Sequence, residues 1–260
     1  VTKSRHPGFV EGDLVVANGG WQEYSVIKGA ECKKVNPSWP SPSLALGVLG
    51  MPGVTAYTGM KNKGKPVAGE TVVVEAASGA VGSVVGQIAK IHCARAVGIA
   101  GTMEKCRFVI DELGFDDCLM HKEPDFPEKL KKACPDKIDV YFENVGGKVF
   151  ETVAPLLNNF ARIPVCGLIA HYNDTQLPEG PNTAPLILRD ILVKRLTYRG
   201  FIVWDFAAQE QEALESLAGW INEGKLKYRE DVVDGLENAP DAFMGLLQGK
   251  NFGKLIIRLG

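Results

Sequence analysis

The residues best suited to chemistry begin at a glycine turn. Ala77-Ser78-Gly79-Ala80-Val81-Gly82 follows the β-branched run Thr71-Val72-Val73-Val74 and precedes an amphipathic stretch that starts at Val81, with Gly86 one helical turn further on. Glycine at 79 lets backbone approach a pyrophosphate closely, and glycine at 82 lets a helix pack tightly on the strand. The helix start adds unpaired N–H groups and a partial positive charge. The pattern resembles GxGxxG with Ala in the first place, and its setting between strand and helix gives it weight. The competing reading is a tight strand-to-helix turn that holds nothing. A site for NAD adds an acid about 20 residues on, at the end of the second strand. Here that region is Ile99-Ala100-Gly101-Thr102-Met103-Glu104-Lys105, and no acid ends the strand. Glu104 suits the first turn of a helix. A small uncharged pocket backed by Lys105 suits a 2′-phosphate, so NADPH is expected over NADH. A solvated helix lysine is the other reading of Lys105.

Such a turn needs a sheet to carry it, and the middle of the chain supplies one. Short apolar runs at 71–76, 96–100, 118–120, 139–142 and 161–166 read as strands. The intervening stretches 81–89, 104–113, 127–133 and 148–157 read as helices, the third opened by proline. Nearly continuous apolar strands imply parallel neighbours covered on both faces. Repeated βα units at this spacing define an α/β class with a doubly wound parallel sheet, a Rossmann fold. The flanks differ. Stretches 9–16 and 20–26 around Asn18-Gly19-Gly20 read as a hairpin, and the prolines of 36–42 mark a connection. Helices are expected at 209–223 and 239–248 and a closing strand at 254–258, which would share a small β-rich domain with the hairpin. The stretch after Tyr172, through Pro178, Pro181 and Pro185, has no readable shape.

Composition narrows the functions. The 260 residues are 45% hydrophobic and 23% charged with net charge −2. No basic stripe speaks for nucleic acid. No apolar run reaches the roughly 20 residues needed to span a bilayer. Nothing at Val1–His6 reads as a signal peptide. The six cysteines, Cys32, Cys93, Cys106, Cys118, Cys134 and Cys166, form no CxxC pair, so no structural zinc is expected. Free thiols fit a reducing compartment, so the expected location is cytoplasmic.

Five segments carry a resemblance that covers nearly the whole chain, in order. They are Leu49-Gly50-Met51-Pro52-Gly53-Val54-Thr55-Ala56-Tyr57, Gly79-Ala80-Val81-Gly82, Glu143-Asn144-Val145-Gly146-Gly147, Cys166-Gly167 with Tyr172-Asn173, and Gly249-Lys250-Asn251-Phe252-Gly253-Lys254. With the Gly12-Asp13-x-Val15 segment they resemble the medium-chain dehydrogenase/reductase superfamily. The nearest group is its zinc-free NADPH-dependent 2-alkenal, prostaglandin/leukotriene and curcumin reductases. The resemblance implies residues 1–45 as a remnant of a GroES-like catalytic domain, 46–205 as the NADPH-binding domain and 206–260 as elements returning to the catalytic domain. It also implies that the first part of the catalytic domain is missing ahead of Val1.

Site roles follow from the same resemblance. Gly79, Ala80, Val81 and Gly82 would hold the pyrophosphate, and Lys105 the 2′-phosphate, with His121 near it. Thr55, Asn144, Cys166, Gly167, Phe201, Ile202, Val203 and Asn251 would contact cofactor, the 201–203 segment as a strand. Cys166 reads as packing rather than as a nucleophile, because no His stands nearby in sequence to activate it. Tyr172 would serve both cofactor and catalysis, donating a hydrogen bond to an oxygen that becomes an enolate. No catalytic metal is implied. The implied reaction is NADPH-dependent reduction of the C=C bond of an α,β-unsaturated aldehyde or ketone by a homodimer. The alternatives are an NADPH quinone reductase and, from another class, a non-catalytic NADPH-binding protein or inactive fragment.

Overall fold

A computed structural model describes residues 1–176 and 182–259; the expected loop through Pro178 and Pro181 lies partly outside them. Strands β1 (Val15–Val16) and β2 (Lys33–Lys34) pair antiparallel ahead of helix α1 (Met51–Gly59). The alternating core follows: β3 (Thr71–Val74), α2 (Gly82–Ile91), β4 (Arg95–Ala100), α3 (Met103–Asp111), β5 (Asp117–Met120), α4 (Phe126–Ala133), β6 (Ile138–Phe142), α5 (Lys148–Val153) and β7 (Leu157–Val165). Then come α6 (Ala184–Lys194), β8 (Thr197–Gly200), α7 (Glu210–Asn222), β9 (Glu230–Asp234), α8 (Ala239–Leu247) and β10 (Lys254–Arg258).

Six strands form one parallel sheet in the order β5-β4-β3-β6-β7-β8. The chain winds outward from β3 to β5, returns to lay β6 against β3, and winds outward the other way. The carboxyl ends of β3 and β6 therefore flank the crevice where such sheets bind ligands. The two faces follow the period-two rule of strands. Val72 and Val74 join one apolar cluster with Val84, Val85 and Ile88 of α2, and Val73 joins the other with Leu130 and Ile163. All three valines are fully buried, which is why this strand carries no polar alternation.

Four expectations need correction. The 20–26 segment is not a strand, and β1 pairs instead with β2. The Ser25 hydroxyl donates to the Gly19 carbonyl, and Gln22 Nε2 bonds Ser25 Oγ, so local side-chain bonds replace a ladder. Strand β10 pairs in parallel with β9 and shares no sheet with β1. Helix α5 stops at Val153 because Pro155 has no N–H to continue it. Residues 201–203 are not a strand: β8 ends at Gly200, and Val203 opens a 3₁₀ segment.

Candidate functional site

Turn and helix start stand together at the end of β3. Among the described residues the amides of Val81 and Gly82 have no acceptor, while that of Ala80 faces Gly253 across a parallel bridge and Ser83 N already donates to Gly79 O at 3.0 Å. Free amides at a helix start are an anion site. Close packing demands the glycines: a Cβ on Gly82 would meet the Ala76 carbonyl oxygen at 2.4 Å, and one on Gly79 would meet it at 3.1 Å. Gly253 N donates to Ser78 O at 2.9 Å, so the C-terminal loop is clamped beside the turn. A small cleft there is lined by Gly47, Ala80, Ser83, Arg229 and Lys254.

One end of the crevice collects the residues expected to read a phosphorylated ribose. Lys105 is buried on α3, and its Nζ donates to the Gly249 carbonyl at 2.7 Å. It is thus no solvated helix lysine, and it joins α3 to the loop that carries Asn251. Asn251 itself donates Nδ2 to Gly253 O at 2.9 Å. Thr102 caps α3 by accepting from Lys105 N, which leaves Glu104 in the first turn as expected. His121 follows β5, and a Cβ on Gly101 would stand 3.8 Å from its Nε2. Partial burial, then the charge of Lys122, lowers its pKa.

At the other end, the strand ends of β6 and β7 bring Asn144, Cys166, Gly167 and Tyr172 together. Asn144 donates Nδ2 to Glu75 O at 2.9 Å, which ties the β6 exit to β3. Gly146 and Gly147 both have positive φ, +80° and +74°, so the loop turns where side chains rarely can. Cys166 N donates to Glu143 O, and burial pushes the thiol up to about 12, so it stays protonated and inert at neutral pH. The Tyr172 hydroxyl lies 3.3 Å from where a Gly167 Cβ would stand, over this strand end, and the residue is 63% exposed.

Four expected contacts are placed differently. The Thr55 hydroxyl donates to Met51 O at 2.7 Å within α1, so its polar atom is committed to its own helix. Phe201 packs against Phe142 and Phe206 in the core. Ile202 is exposed and Val203 belongs to the 3₁₀ segment. Phe201 N still reaches Val165 O at the end of β7.

The sequence reading passed over three groups. Arg229 stacks on Phe252, 3.9 Å from the ring centroid, beside the cleft. Lys254, whose pKa burial lowers, lines the same cleft. Glu75 and Glu143 end β3 and β6 as buried acids, and Glu143 Oε1 accepts Val145 N at 2.9 Å and Gly146 N at 2.7 Å. An acid closing an apolar strand was the available signal for the pair.

Free amides beside Gly79, cations at one end and a phenol at the other suit an extended dinucleotide. No group of three or more His, Cys, Asp or Glu side chains arranged to hold a metal exists among the described residues. The chain belongs to the zinc-binding dehydrogenase family, whose model matches residues 80–219, and so to the medium-chain dehydrogenase/reductase superfamily. Its relatives are more particular. It is 52% identical to the NADPH-dependent curcumin reductase of Escherichia coli (strain K12), over all of this chain and 75% of that protein. It is 44% identical to prostaglandin reductase 1 of Oryctolagus cuniculus, over 98% of this chain and 73% of that one. The structure of CurA from Vibrio vulnificus in complex with NADPH superposes with TM-score 0.95 at 52% identity, covering all of this chain and 77% of that chain.

Proposed function

We propose that this protein reduces the carbon–carbon double bond of α,β-unsaturated aldehydes and ketones with NADPH. The observation that carries the reading is the crevice between β3 and β6: free amides at Val81 and Gly82, Lys105 beside Asn251 at one end, and the Tyr172 hydroxyl at the other. The relatives named for NADPH-dependent curcumin and prostaglandin reduction support it.

Bound NADPH supplies the hydride, which reaches the β-carbon of the substrate. Protein groups do the rest. The Val81 and Gly82 amides at the α2 start would bind pyrophosphate, and Lys105 and Asn251 would bind the 2′-phosphate end. Lys105 could add a phosphate to its Gly249 bond without leaving its place, since an ammonium has three donors. The Tyr172 hydroxyl donates to the carbonyl oxygen as charge gathers there, and a proton then reaches the α-carbon. The protein acts in the cytoplasm as a homodimer; exposed Leu186, Leu188 and Leu192 on α6, which packs on β7 next to the edge strand, support the pairing. No helix among the described residues is long and apolar enough to cross a membrane.

Tyr172→Phe tests the reading at its reacting end. Loss of one donor to a developing oxyanion costs about 10²-fold in kcat. The expected result is a kcat for enone reduction lowered by about that factor, with KM for NADPH little changed because the phenol contacts the substrate oxygen. Full kcat in the variant removes Tyr172 from the chemistry.

A further inference from the structure

Beneath the Asn144–Gly147 loop lies a cluster of oxygen atoms that the reaction does not use. Glu75 is 1% exposed and Glu143 5%. Neither Glu75 carboxyl oxygen has a donor, and the Tyr141 hydroxyl has no partner of the ordinary kind. The groups within reach are one another: Glu75 faces both Glu143 and Tyr141. Tyr198 of β8 faces Glu143 from the far side, and Asp190 of α6 faces Tyr198. Two ionised carboxylates in contact inside a protein repel strongly, and one shared proton removes the conflict. The hydrogen bonds decide where it sits. Glu143 Oε1 already accepts the Val145 and Gly146 amides, so it is set as the acceptor of the pair. The Tyr141 hydroxyl and the Gly146 amide lie near Glu75 but neither makes a well-formed hydrogen bond to it, so Glu75 is the acid.

We infer that Glu75 is a positioning residue: as a neutral carboxylic acid it donates its proton to Glu143, and through Glu143 it holds the Asn144–Gly147 loop against the nicotinamide end of the crevice. The inference rests on the cofactor reading above for what the loop serves, but not for the proton itself. Glu75 also acts through its backbone, since its carbonyl accepts from Asn144 Nδ2 at 2.9 Å. Both strands of the crevice thus meet at this residue, one bond through the main chain and one through the side chain.

Burial, and after it the neighbouring Glu143, pushes Glu75 up to about 9. The unfolded side chain titrates in the ordinary carboxylate range. Between those two values the unfolded chain has released a proton that the native state keeps. Native stability therefore falls as pH rises through this window and levels off above about 9.

Three forms of the protein decide the matter: wild type, Glu75→Gln and Glu75→Leu. Thermal melting without nucleotide, from pH 5 to pH 10, reads the proton. Glutamine is neutral at every pH and still donates to Glu143, so Glu75→Gln is expected to melt about 3–6 °C above wild type at pH 8 and to flatten its decline with pH. Parallel melting profiles overturn the shared proton. NADPH affinity by nucleotide fluorescence reads the positioning. Leucine fills the space but donates nothing, so Glu75→Leu is expected to bind NADPH about tenfold more weakly at pH 7.5, a loss of about 1.4 kcal/mol, with Glu75→Gln rescuing it. Wild type alone is expected to weaken above pH 9. Equal affinity in Glu75→Leu and wild type overturns the positioning role. Should none of the three bind NADPH, the cofactor reading falls, and the melting profiles still decide the proton.

Discussion

Ala80→Asp is expected to weaken NADPH binding by about a hundredfold, or about 2.7 kcal/mol, while the nucleotide-free protein melts at the wild-type temperature or above it. The two effects have opposite signs because they come from one place. Ala80 lies between Gly79 and the first turn of α2, half exposed, with the amides of Val81 and Gly82 after it unpaired among the described residues. A carboxylate there satisfies those amides and the positive end of the helix, which stabilises proteins by about 0.3–1 kcal/mol. It also occupies the space and the charge that a pyrophosphate would take. Like charges forced together at an interface cost several kcal/mol. Fluorescence titration against NADPH and a melting curve on the same sample measure both. Wild-type affinity in the variant would mean that the pyrophosphate binds elsewhere. A lower melting temperature would mean that the substitution damages the turn itself.

Gly86→Val is expected to remove about 3 kcal/mol of stability and lower the melting temperature by about 10 °C. A Cβ at Gly86 would stand 1.8 Å from Cζ of Phe115 and 2.3 Å from its Cε1. Phe115 is buried at 3% exposure in the same cluster as Val85 and Val109, so its ring has nowhere to go. Helix α2 must then lift from the sheet, and with it the anion site at its start. Phe115→Leu in the same chain is expected to restore part of the loss, since contacting residues couple. An unchanged melting temperature in the single variant would show that α2 does not lie against Phe115.

The glycine turn was legible because its two neighbours are extreme. A strand buried on both faces leaves no polar positions, and Thr71–Val74 has none on either face of the sheet except its first residue. The same reason made β4, β5 and β6 readable. Strand β2 was invisible for the converse reason: Lys33 and Lys34 are both exposed, so burial imposes no pattern. Strand β9 pairs with β10 in a two-stranded sheet and keeps acids at both ends, so it reads as loop. Helix α1 is buried almost all round and holds Pro52, Gly53 and Gly59, so no amphipathic period marks it.

Within the site, sequence gave residue types but not their partners. Lys105 and Gly249 are 144 positions apart, and only the closing loop joins them. Thr55 carries a hydroxyl fit for a ligand, yet the nearest carbonyl is four residues back in its own helix. Glu75 and Glu143 each look like ordinary strand-end acids. They become a pair only because β6 returns to lie beside β3, a pairing fixed by topology rather than by either local segment.

The most direct test of the proposed activity is the fate of a labelled hydride. NADPH carrying deuterium at its transferable position is incubated with the protein and an enone, and the product is examined by mass spectrometry and NMR. The expected result is a saturated ketone with one deuterium at the β-carbon and one NADPH oxidised per molecule formed. Deuterium on the carbonyl carbon of an unsaturated alcohol, or no oxidation of NADPH with any enone, would contradict it.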